Sequence, residues 1–190
     1  MKYIVIYDAC VFYPSAVRDL LMELAMPGKD LFQAKWSEEI ESEWLRNLIS
    51  NRPDLDANKL KNTAKIMREV VPDCIVRNYE PLMHGIVLPD PKDVHVLAAA
   101  IRAKAQAIIT FNLKDFPPDI LDQFDIEATH PDTFLINQYD LSMGKVLDAV
   151  KNIRSRLKNP LKSPEEYIDR LFVEKLTAFG DCLKEFQHLI

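Results

Sequence analysis

Acidic residues stand at points of the sequence where carboxylates could meet and do chemistry. Asp8 directly follows an apolar run, and Asp115 lies shortly after another run that ends at Thr110. In an open α/β sheet, ligands bind beyond the carboxyl ends of the parallel strands, so both acids are candidates for that edge. Carboxylate oxygens bind hard divalent cations, and such cations activate water for hydrolysis. Glu43 and Asp93 are further candidates for the same edge.

Each of these acids also has a purely structural interpretation. Asp8 could cap the turn that follows it, and Asp115 could form a turn before Phe116. Asp93 could cap a helix, and Glu43 could be an ordinary solvated residue of a helix. No single one of the four acids therefore identifies a site, and the prediction depends on their combination.

The hydrophobic pattern predicts the elements that must position these acids. Apolar and β-branched runs predict strands at 3–7, 32–36, 74–76, 86–88, 107–110 and 126–128. Helices are expected between them, beginning near Pro14, after Ser37, at about 57, near Asp90 and at Pro131. Because strands alternate with helices through about residue 138, the sequence predicts right-handed βαβ crossovers and a parallel α/β sandwich.

The last part of the chain, 139–190, is predicted to be a helical extension of a domain that covers 1–138. It contains no convincing strand. Apolar residues keep a helical period over 143–157, and the segment 163–166 has the pattern of a capping box with a proline in the first turn. Two helices are therefore expected, and the extension is predicted to be a helical hairpin.

The composition is that of one globular protein. The chain has 190 residues, of which 48% are hydrophobic and 28% are charged, enough for one core and a small extension. No apolar run approaches the roughly 20 residues of a membrane span, and the first run ends at Asp8, too soon for a signal peptide. Three cysteines without paired spacing fit neither a disulfide framework nor a zinc site, so a cytoplasmic location is expected.

The charge is unevenly distributed along the chain. A net charge of −5 argues against general nucleic-acid binding. The segment from Lys145 to Lys162, however, has six basic residues against one acid, Asp148. An RNA backbone could bind there, and a solvated helix face that complements an acidic neighbour is the alternative. The candidate RNA-binding residues are Lys151, Arg154, Arg156 and Lys158.

In combination, these motifs closely resemble those of a PIN-domain nuclease over roughly residues 1–138. Glu43, rather than Glu39 or Glu41, is assigned from its spacing after Ser37. The resemblance implies a three-layer α/β/α sandwich with a parallel central sheet. The matching motifs are Asp8, Ser37 with Glu43, the run from Asp90 through Asp93 to Ala100, and Thr110-Phe-Asn112-Leu-Lys-Asp115-Phe116, of which the last is the most specific.

The resemblance also implies a metal site. Several carboxylates in one pocket repel one another without a cation, so at least one carboxyl pKa is expected to be raised. Thr110 and Asn112 would orient the acids by hydrogen bonds. Asp90 would lie at the rim, with a helix N-cap as its alternative role. The expected ligands of Mg²⁺ or Mn²⁺, directly or through water, are Asp8, Glu43, Asp93 and Asp115.

The activity that the resemblance implies is Mg²⁺-dependent hydrolysis of RNA phosphodiesters. Many PIN proteins are VapC-type toxins, which are held inactive by an antitoxin, and PIN proteins commonly form homodimers. Two alternatives stay open: a PIN nuclease of RNA processing or of DNA, and a catalytically silent PIN fold that binds or regulates. A nucleotide-binding α/β protein is a weaker alternative, because the chain has only four glycines and no glycine-rich phosphate loop.

Overall fold

The computed structural model describes residues 2–190, which form a parallel sheet covered by helices. The strand order is β3-β2-β1-β4-β5, and every neighbouring pair of strands is parallel. The predicted parallel α/β sandwich is therefore confirmed. The strands are β1 (Ile4–Tyr7), β2 (Gln33–Ser37), β3 (Ile75–Val76), β4 (Ala107–Ile109) and β5 (Glu127–Thr129).

Helices connect the strands and continue beyond the last one. The α-helices within residues 2–190 are α1 (Ala9–Phe12), α2 (Ser15–Ala25), α3 (Glu38–Asn51), α4 (Ala57–Val70), α5 (Val94–Ala103), α6 (Pro118–Leu121), α7 (Pro131–Leu141), α8 (Met143–Arg156), α9 (Pro164–Val173) and α10 (Thr177–Lys184). Short 3₁₀ helices lie at Glu80–Met83, Pro91–Asp93, Leu113–Asp115, Asp122–Phe124 and Gln187–Leu189. In the described part of the chain, no helix is long and apolar enough to cross a membrane.

Side-chain caps begin several of these helices where the sequence predicts them. The Ser37 hydroxyl accepts a 3.1 Å hydrogen bond from the Ile40 N–H and so begins α3. Ser163 and Glu166 form a reciprocal capping box at the start of α9. Such caps satisfy N–H groups that have no partner inside the helix, which fixes where the helix begins.

Aromatic side chains join β1, β2, α1 and α3. Tyr7 stacks on Trp36 with ring centroids 6.4 Å apart, and Phe12 meets both Trp36 and Trp44 edge-on. All four of these side chains are almost completely buried. Because large buried aromatics fill a fixed volume, this packing holds α3 in one orientation against the end of β1.

The predicted strand at 86–88 is wrong, because this segment has no regular structure. Gly85 has a positive φ of 101°, and Val87, which follows it closely, is 77% exposed. Strand residues need a hydrogen-bonded neighbour. After β3 the chain leaves the sheet, passes through two 3₁₀ helices into α5, and returns to the sheet only at β4. The apolar run therefore lies in a connection outside the sheet.

The C-terminal extension has three α-helices instead of the two of the predicted hairpin. The predicted second helix is interrupted after Val173, since Lys175 has a positive φ of 62°. The Leu176 N–H donates to the Leu171 carbonyl at 2.9 Å, a closing bond typical of helix ends with a left-handed residue. Glycine usually occupies such a left-handed position. Because a lysine occupies it here, nothing in the sequence indicated that the helix ends.

Candidate active site

The ends of β1 and β4 bring Asp8 and Thr110 together. Tyr7 pairs with Ile109 in the sheet, so the residues that follow them are neighbours at its carboxyl edge. The Thr110 hydroxyl donates a 2.7 Å hydrogen bond to Asp8 Oδ2, and both residues are buried. The predicted orienting role of Thr110 is thus supported by a direct contact with the acid.

Cys10 is a second donor to the same carboxylate oxygen. Its thiol lies 3.0 Å from Asp8 Oδ2, and its sulfur accepts from the Phe111 N–H at 3.3 Å. Burial, with the nearby Asp8 charge, raises the pKa of the Cys10 thiol far above its usual value, so the thiol stays protonated and donates. Together Cys10 and Thr110 fix the Asp8 carboxylate and leave Oδ1 without a side-chain hydrogen bond among residues 2–190.

Asp8, Glu43 and Asp93 line one cavity of about 330 Å³ at this edge of the sheet. Asp8 and Asp93 occupy the N-cap positions of α1 and α5, yet neither side chain makes a capping hydrogen bond. The structural alternative, that these two acids are merely helix caps, is therefore not supported. The other residues of the cavity wall are Ala9, Cys10, Tyr13, Pro14, Trp44, Asn47, Asn51 and Asn112.

The acids act on one another electrostatically. Partial burial, reinforced by the negative charges of Asp8, Asp90, Asp115 and Glu43, raises the pKa of Asp93 to about 7. Burial also raises the pKa of Asp8, and Glu43 adds to this, although hydrogen bonds from Thr110 and Cys10 oppose it. At least one raised carboxyl pKa was expected of such a cluster, and Asp93 fulfils that expectation.

Asp115 lies near the cluster but does not line the cavity. Its 3₁₀ turn, Leu113–Asp115, follows Asn112, whose carbonyl accepts from the Asp115 N–H at 3.0 Å. From there the Asp115 carboxylate still contributes to the raised pKa of Asp93. The side chains of Asp8, Glu43 and Asp93 thus form the cavity wall, and Asp115 stands outside it.

Asn112 and Asp90 are the other two residues that the sequence predicts to support the acids. Asn112 lines the cavity, but it is its backbone N–H that donates to the Thr110 hydroxyl oxygen, at 2.9 Å. Asp90 accepts from the Lys92 N–H at 2.9 Å, which is the N-cap role that the sequence left open. Asp90 affects the site only through its charge, which helps to raise the pKa of Asp93.

The contacts of the neighbouring glutamates favour Glu43 as the acid of α3. Glu41 is paired with Arg68 at 2.8 Å, and Glu39 accepts a 3.1 Å hydrogen bond from the Tyr79 hydroxyl. Neither lines the cavity, whereas Glu43 does. The assignment from the spacing after Ser37 agrees with this arrangement.

His95 is a neighbour of Glu43 that the sequence did not reveal. The imidazole is 4% exposed, and its Nε2 lies 3.3 Å from Glu43 Oε2. Its Nδ1 lies 4.0 Å from Glu39 Oε2 and has no hydrogen-bond partner. His95 points away from Asp93 on α5, as its position in the helix predicts, but that face of α5 meets α3. Only the packing of the two helices shows this contact.

The basic segment of α8 is partly engaged within the molecule. Arg156 pairs with Glu23, which is buried, and Arg154 donates to the Lys162 carbonyl at 2.9 Å. Lys151 and Lys158 are exposed and make no ion pair or side-chain hydrogen bond with another described residue. Of the four predicted RNA-binding residues, only these two lysines have free ammonium groups.

The carboxylates that line the cavity suit a hard divalent cation, although they do not converge on one point. Within residues 2–190, no three His, Cys, Asp or Glu side chains stand close enough to hold one ion together. The three carboxylates nevertheless share one cavity, and the charges of Asp8 and Glu43 add to the effect of burial in raising the pKa of Asp93. A cation would relieve this repulsion, and carboxylate oxygen is the ligand that Mg²⁺ and Mn²⁺ prefer.

Comparison with known proteins agrees with this geometry. Residues 4–114 match the PIN domain family, and residues 131–185 match the family described as the VapC50 C-terminal domain. Over 80 residues the chain is 41% identical to "Putative ribonuclease VapC50" of Mycobacterium tuberculosis (strain ATCC 25618 / H37Rv), an alignment that covers 42% of this chain and 47% of that protein. The alignment thus spans about half the length of this relative. Since the PIN match covers more than half of the chain, the protein belongs to the PIN-domain family and carries a C-terminal extension of the VapC50 type.

Proposed function

We propose that this protein is a VapC-type endoribonuclease that hydrolyses RNA phosphodiesters with Mg²⁺ or Mn²⁺. One observation carries the proposal: Asp8, Glu43 and Asp93 line one cavity at the carboxyl edge of the sheet, where partial burial and the neighbouring negative charges raise the pKa of Asp93 to about 7. Carboxylate oxygens are the ligands that a hard cation prefers. The relative named as a ribonuclease supports RNA as the substrate.

The residues of the cavity divide the work as follows. Asp8, Glu43 and Asp93 would hold the ion, and Asp115, outside the cavity wall, would act through water. Thr110 and Cys10 hold the Asp8 carboxylate in a fixed orientation through hydrogen bonds to its Oδ2. When bound, the ion supplies the positive charge that activates water and neutralises the attacked phosphate.

The lining of the cavity gives a physical reason why the proposed chemistry would need the ion. It contains no lysine, arginine or histidine side chain. Three carboxylates alone would repel an RNA phosphate, and no side chain of the wall offsets their charge. An RNA strand can therefore approach the acids only when a cation occupies the cavity.

The test is cleavage of a pool of single-stranded and structured RNAs, with matched DNAs, in Mg²⁺, in Mn²⁺ and in EDTA. Asp93→Asn, run in parallel, excludes a contaminating nuclease, and Asp122→Asn is a matched control because Asp122 is exposed and lies outside the cavity. We expect metal-dependent cutting of RNA by the wild type and the control but not by Asp93→Asn. Cutting of DNA alone would favour the DNA nuclease.

Metal titration by calorimetry distinguishes the remaining alternative. A catalytically silent binding module would cut nothing and would bind no divalent ion in the cavity. If the folded wild type binds Mn²⁺ and Asp93→Asn does not, while no RNA of the pool is cut, the substrate is narrower than the pool. If neither protein binds Mn²⁺, the proposal of a metal nuclease is wrong.

The proposal extends to an antitoxin, to a homodimer and to the cytoplasm as the place of action. An arginine is the side chain best suited to block clustered carboxylates, because its guanidinium donates two parallel hydrogen bonds. Co-expression with the product of a neighbouring small gene should give a complex that does not cut RNA. Sedimentation equilibrium of the isolated protein measures whether it is a dimer, and fractionation of cells locates it.

A further inference from the structure

The cavity continues beyond its acids into a neutral part formed by Tyr13, Asn47 and Asn51. We infer that this part is a subsite for one unpaired base of the RNA, adjacent to the phosphate that is cut. Tyr13 would stack on the base, and the two amides would hydrogen-bond to its edge. The inference rests on the proposed function, which places the scissile phosphate at the acids.

The spacing on α3 places both amides in line with an acid. Asn47 and Asn51 follow Glu43 by one and two helical turns, so all three side chains share one face of the helix. Trp44, which is 1% exposed, anchors the adjacent face against Phe12. The amides therefore extend from the proposed metal ligand toward the outer end of the cavity.

The polar groups of this subsite have no partners within the protein. Asn47 and Asn51 are exposed, and neither amide hydrogen-bonds to another residue of 2–190. The Tyr13 hydroxyl is likewise free, and the buried indole N–H of Trp44, in the same wall, has no acceptor. A buried donor without a partner, such as the Trp44 N–H, is rare in folded proteins. The exposed amides of Asn47 and Asn51 have hydrogen-bonding capacity that the protein itself does not use.

The chemistry of the lining selects a base over a phosphate. A phosphate would need a cation or a row of backbone N–H groups, and no cationic side chain lines this end of the cavity. Arg52, which interacts electrostatically with Tyr13, is held by two hydrogen bonds to the Asp54 carboxylate. An amide carries a donor and an acceptor in one plane, which matches the edge of a base, and an aromatic ring stacks on any base. A base in a duplex has its edge already paired, so the subsite fits a single-stranded segment or a loop.

The first arm of the test measures binding. The background is the wild-type protein with Ca²⁺ in place of Mn²⁺, because Ca²⁺ also binds carboxylate oxygens. A gel run after each titration checks that the RNA is intact. A fluorescent eight-nucleotide RNA, single-stranded or annealed to its complement, is titrated by anisotropy. We expect tighter binding of the single strand, and about a tenfold loss of that binding when Asn47→Ala and Asn51→Ala are added. Asn62→Ala, an exposed asparagine of α4 away from the cavity, should change nothing.

The second arm maps the cut sites of the otherwise wild-type protein on a randomised RNA pool by sequencing. We expect a nucleotide preference at one position beside the cut, which Asn47→Ala with Asn51→Ala flattens.

The binding assay also tests the stacking role of Tyr13. Tyr13→Leu should weaken the affinity for the single strand, and Tyr13→Phe, which keeps the ring, should retain it.

The outcomes separate the two proposals. If the wild type cuts RNA and its preference is the same in the asparagine variants, the subsite is wrong and the nuclease stands. If the wild type cuts nothing but the single strand binds through Asn47 and Asn51, the nuclease is wrong and the subsite stands. Equal binding of single strand and duplex, unchanged by the variants, overturns the subsite.

Discussion

The hydroxyl of Thr110 donates a 2.7 Å hydrogen bond to the carboxylate of Asp8, although 102 positions separate the two residues in the sequence. The same hydroxyl accepts from the Asn112 N–H at 2.9 Å. Thr110 therefore links the end of β1 to the turn that carries Asp115. An isosteric change that removes the hydroxyl should affect both the acid and the turn.

We expect Thr110→Val to weaken Mn²⁺ binding by about ten- to a hundredfold, because the carboxylate of Asp8 loses its principal orienting donor. The change also leaves the Asn112 N–H without its acceptor, at a cost of about 1 kcal/mol in the free energy of unfolding. Thr110→Ser keeps the hydroxyl and is the control. Calorimetry and urea denaturation measure the two effects, and a valine variant with wild-type metal affinity would contradict the orienting role.

The raised pKa of Asp93 makes the stability of the metal-free protein depend on pH. In the folded state this carboxyl titrates at about 7, against an ordinary value of 3.8. The folded protein therefore holds a proton that the unfolded chain releases, and the resulting stabilisation is full below pH 3.8 and is lost as the pH rises through about 7. In EDTA, the wild type should lose more stability between these values than Asp93→Asn, measured by denaturant midpoints across the pH range.

The affinity for a divalent ion should change with pH in the opposite direction. The ion needs the deprotonated carboxylate, so its apparent affinity should rise as the pH increases toward 7 and level off above it. Binding below pH 7 should also release protons, which calorimetry in buffers of different ionisation enthalpy detects. An affinity that does not vary between pH 5 and pH 8 would exclude Asp93 as a ligand.

The sequence predicted those site residues whose positions depend only on residues close to them along the chain. Asp8 follows a strand and Asp93 begins a helix, and both positions can be read from a few neighbouring residues. The neighbours of Glu43 could not be predicted in this way, because they depend on how α3 packs against other elements. The contact with His95 and the cavity position of Tyr13 therefore emerged only from the fold.

The same limit applies to the errors in secondary structure. An apolar run such as 86–88 predicts a strand only if a neighbouring strand is available, and the order of the sheet decides that. The left-handed Lys175 ends α9 without glycine, so nothing local marked the break. Ser37 and Asp56, by contrast, are strong local caps, and the predicted starts of α3, which carries Glu43, and of α4 are confirmed.

His95 should matter for metal binding more than for folding. We expect His95→Leu to weaken Mn²⁺ binding about tenfold, because Glu43 loses the polar group 3.3 Å from its carboxylate. Leucine fills a buried site without a polar atom, so the free energy of unfolding should not fall. His95→Gln, which can still donate, should retain part of the affinity. If Glu43→Gln weakens binding and His95→Leu does not, the imidazole has no positioning role.

The free lysines of α8 allow a test of the proposed RNA-binding segment without disturbing the fold. Lys151→Glu with Lys158→Glu should lower RNA affinity and reduce the slope of log K against log salt by about one for each lost phosphate contact. The melting temperature should stay unchanged, since neither ammonium makes an ion pair or a hydrogen bond with another described residue. Arg156→Glu is the contrasting variant: it places a carboxylate beside the buried Glu23 and should cost about 2 kcal/mol of stability. An unchanged salt slope in the lysine variant would remove α8 from RNA binding.

Asp132 connects the extension to the helix that follows β5. Its carboxylate is 9% exposed and accepts hydrogen bonds from the Phe179 N–H at 2.8 Å and the Ala178 N–H at 3.0 Å. These N–H groups lie in the first turn of α10, which has no other side-chain cap. Asp132→Ala should therefore cost about 2–3 kcal/mol in the free energy of unfolding, because two charge-assisted bonds are lost and two N–H groups lose their acceptors.

The position of Asp132 also determines how this loss should appear. If the extension packs as part of one cooperative unit with the PIN domain, the variant should unfold in a single transition at lower denaturant, by both tryptophan fluorescence and circular dichroism. Trp36 and Trp44 lie far from α10 in the sequence, in the core beneath the acids, so their fluorescence reports on the domain and not on the extension. Asp181→Ala, at an exposed residue of α10 whose carboxylate only pairs with Lys184, is the matched control and should cost less than 1 kcal/mol. An early loss of helix with unchanged fluorescence would show instead that the extension unfolds separately, and that the acids of the cavity do not depend on it.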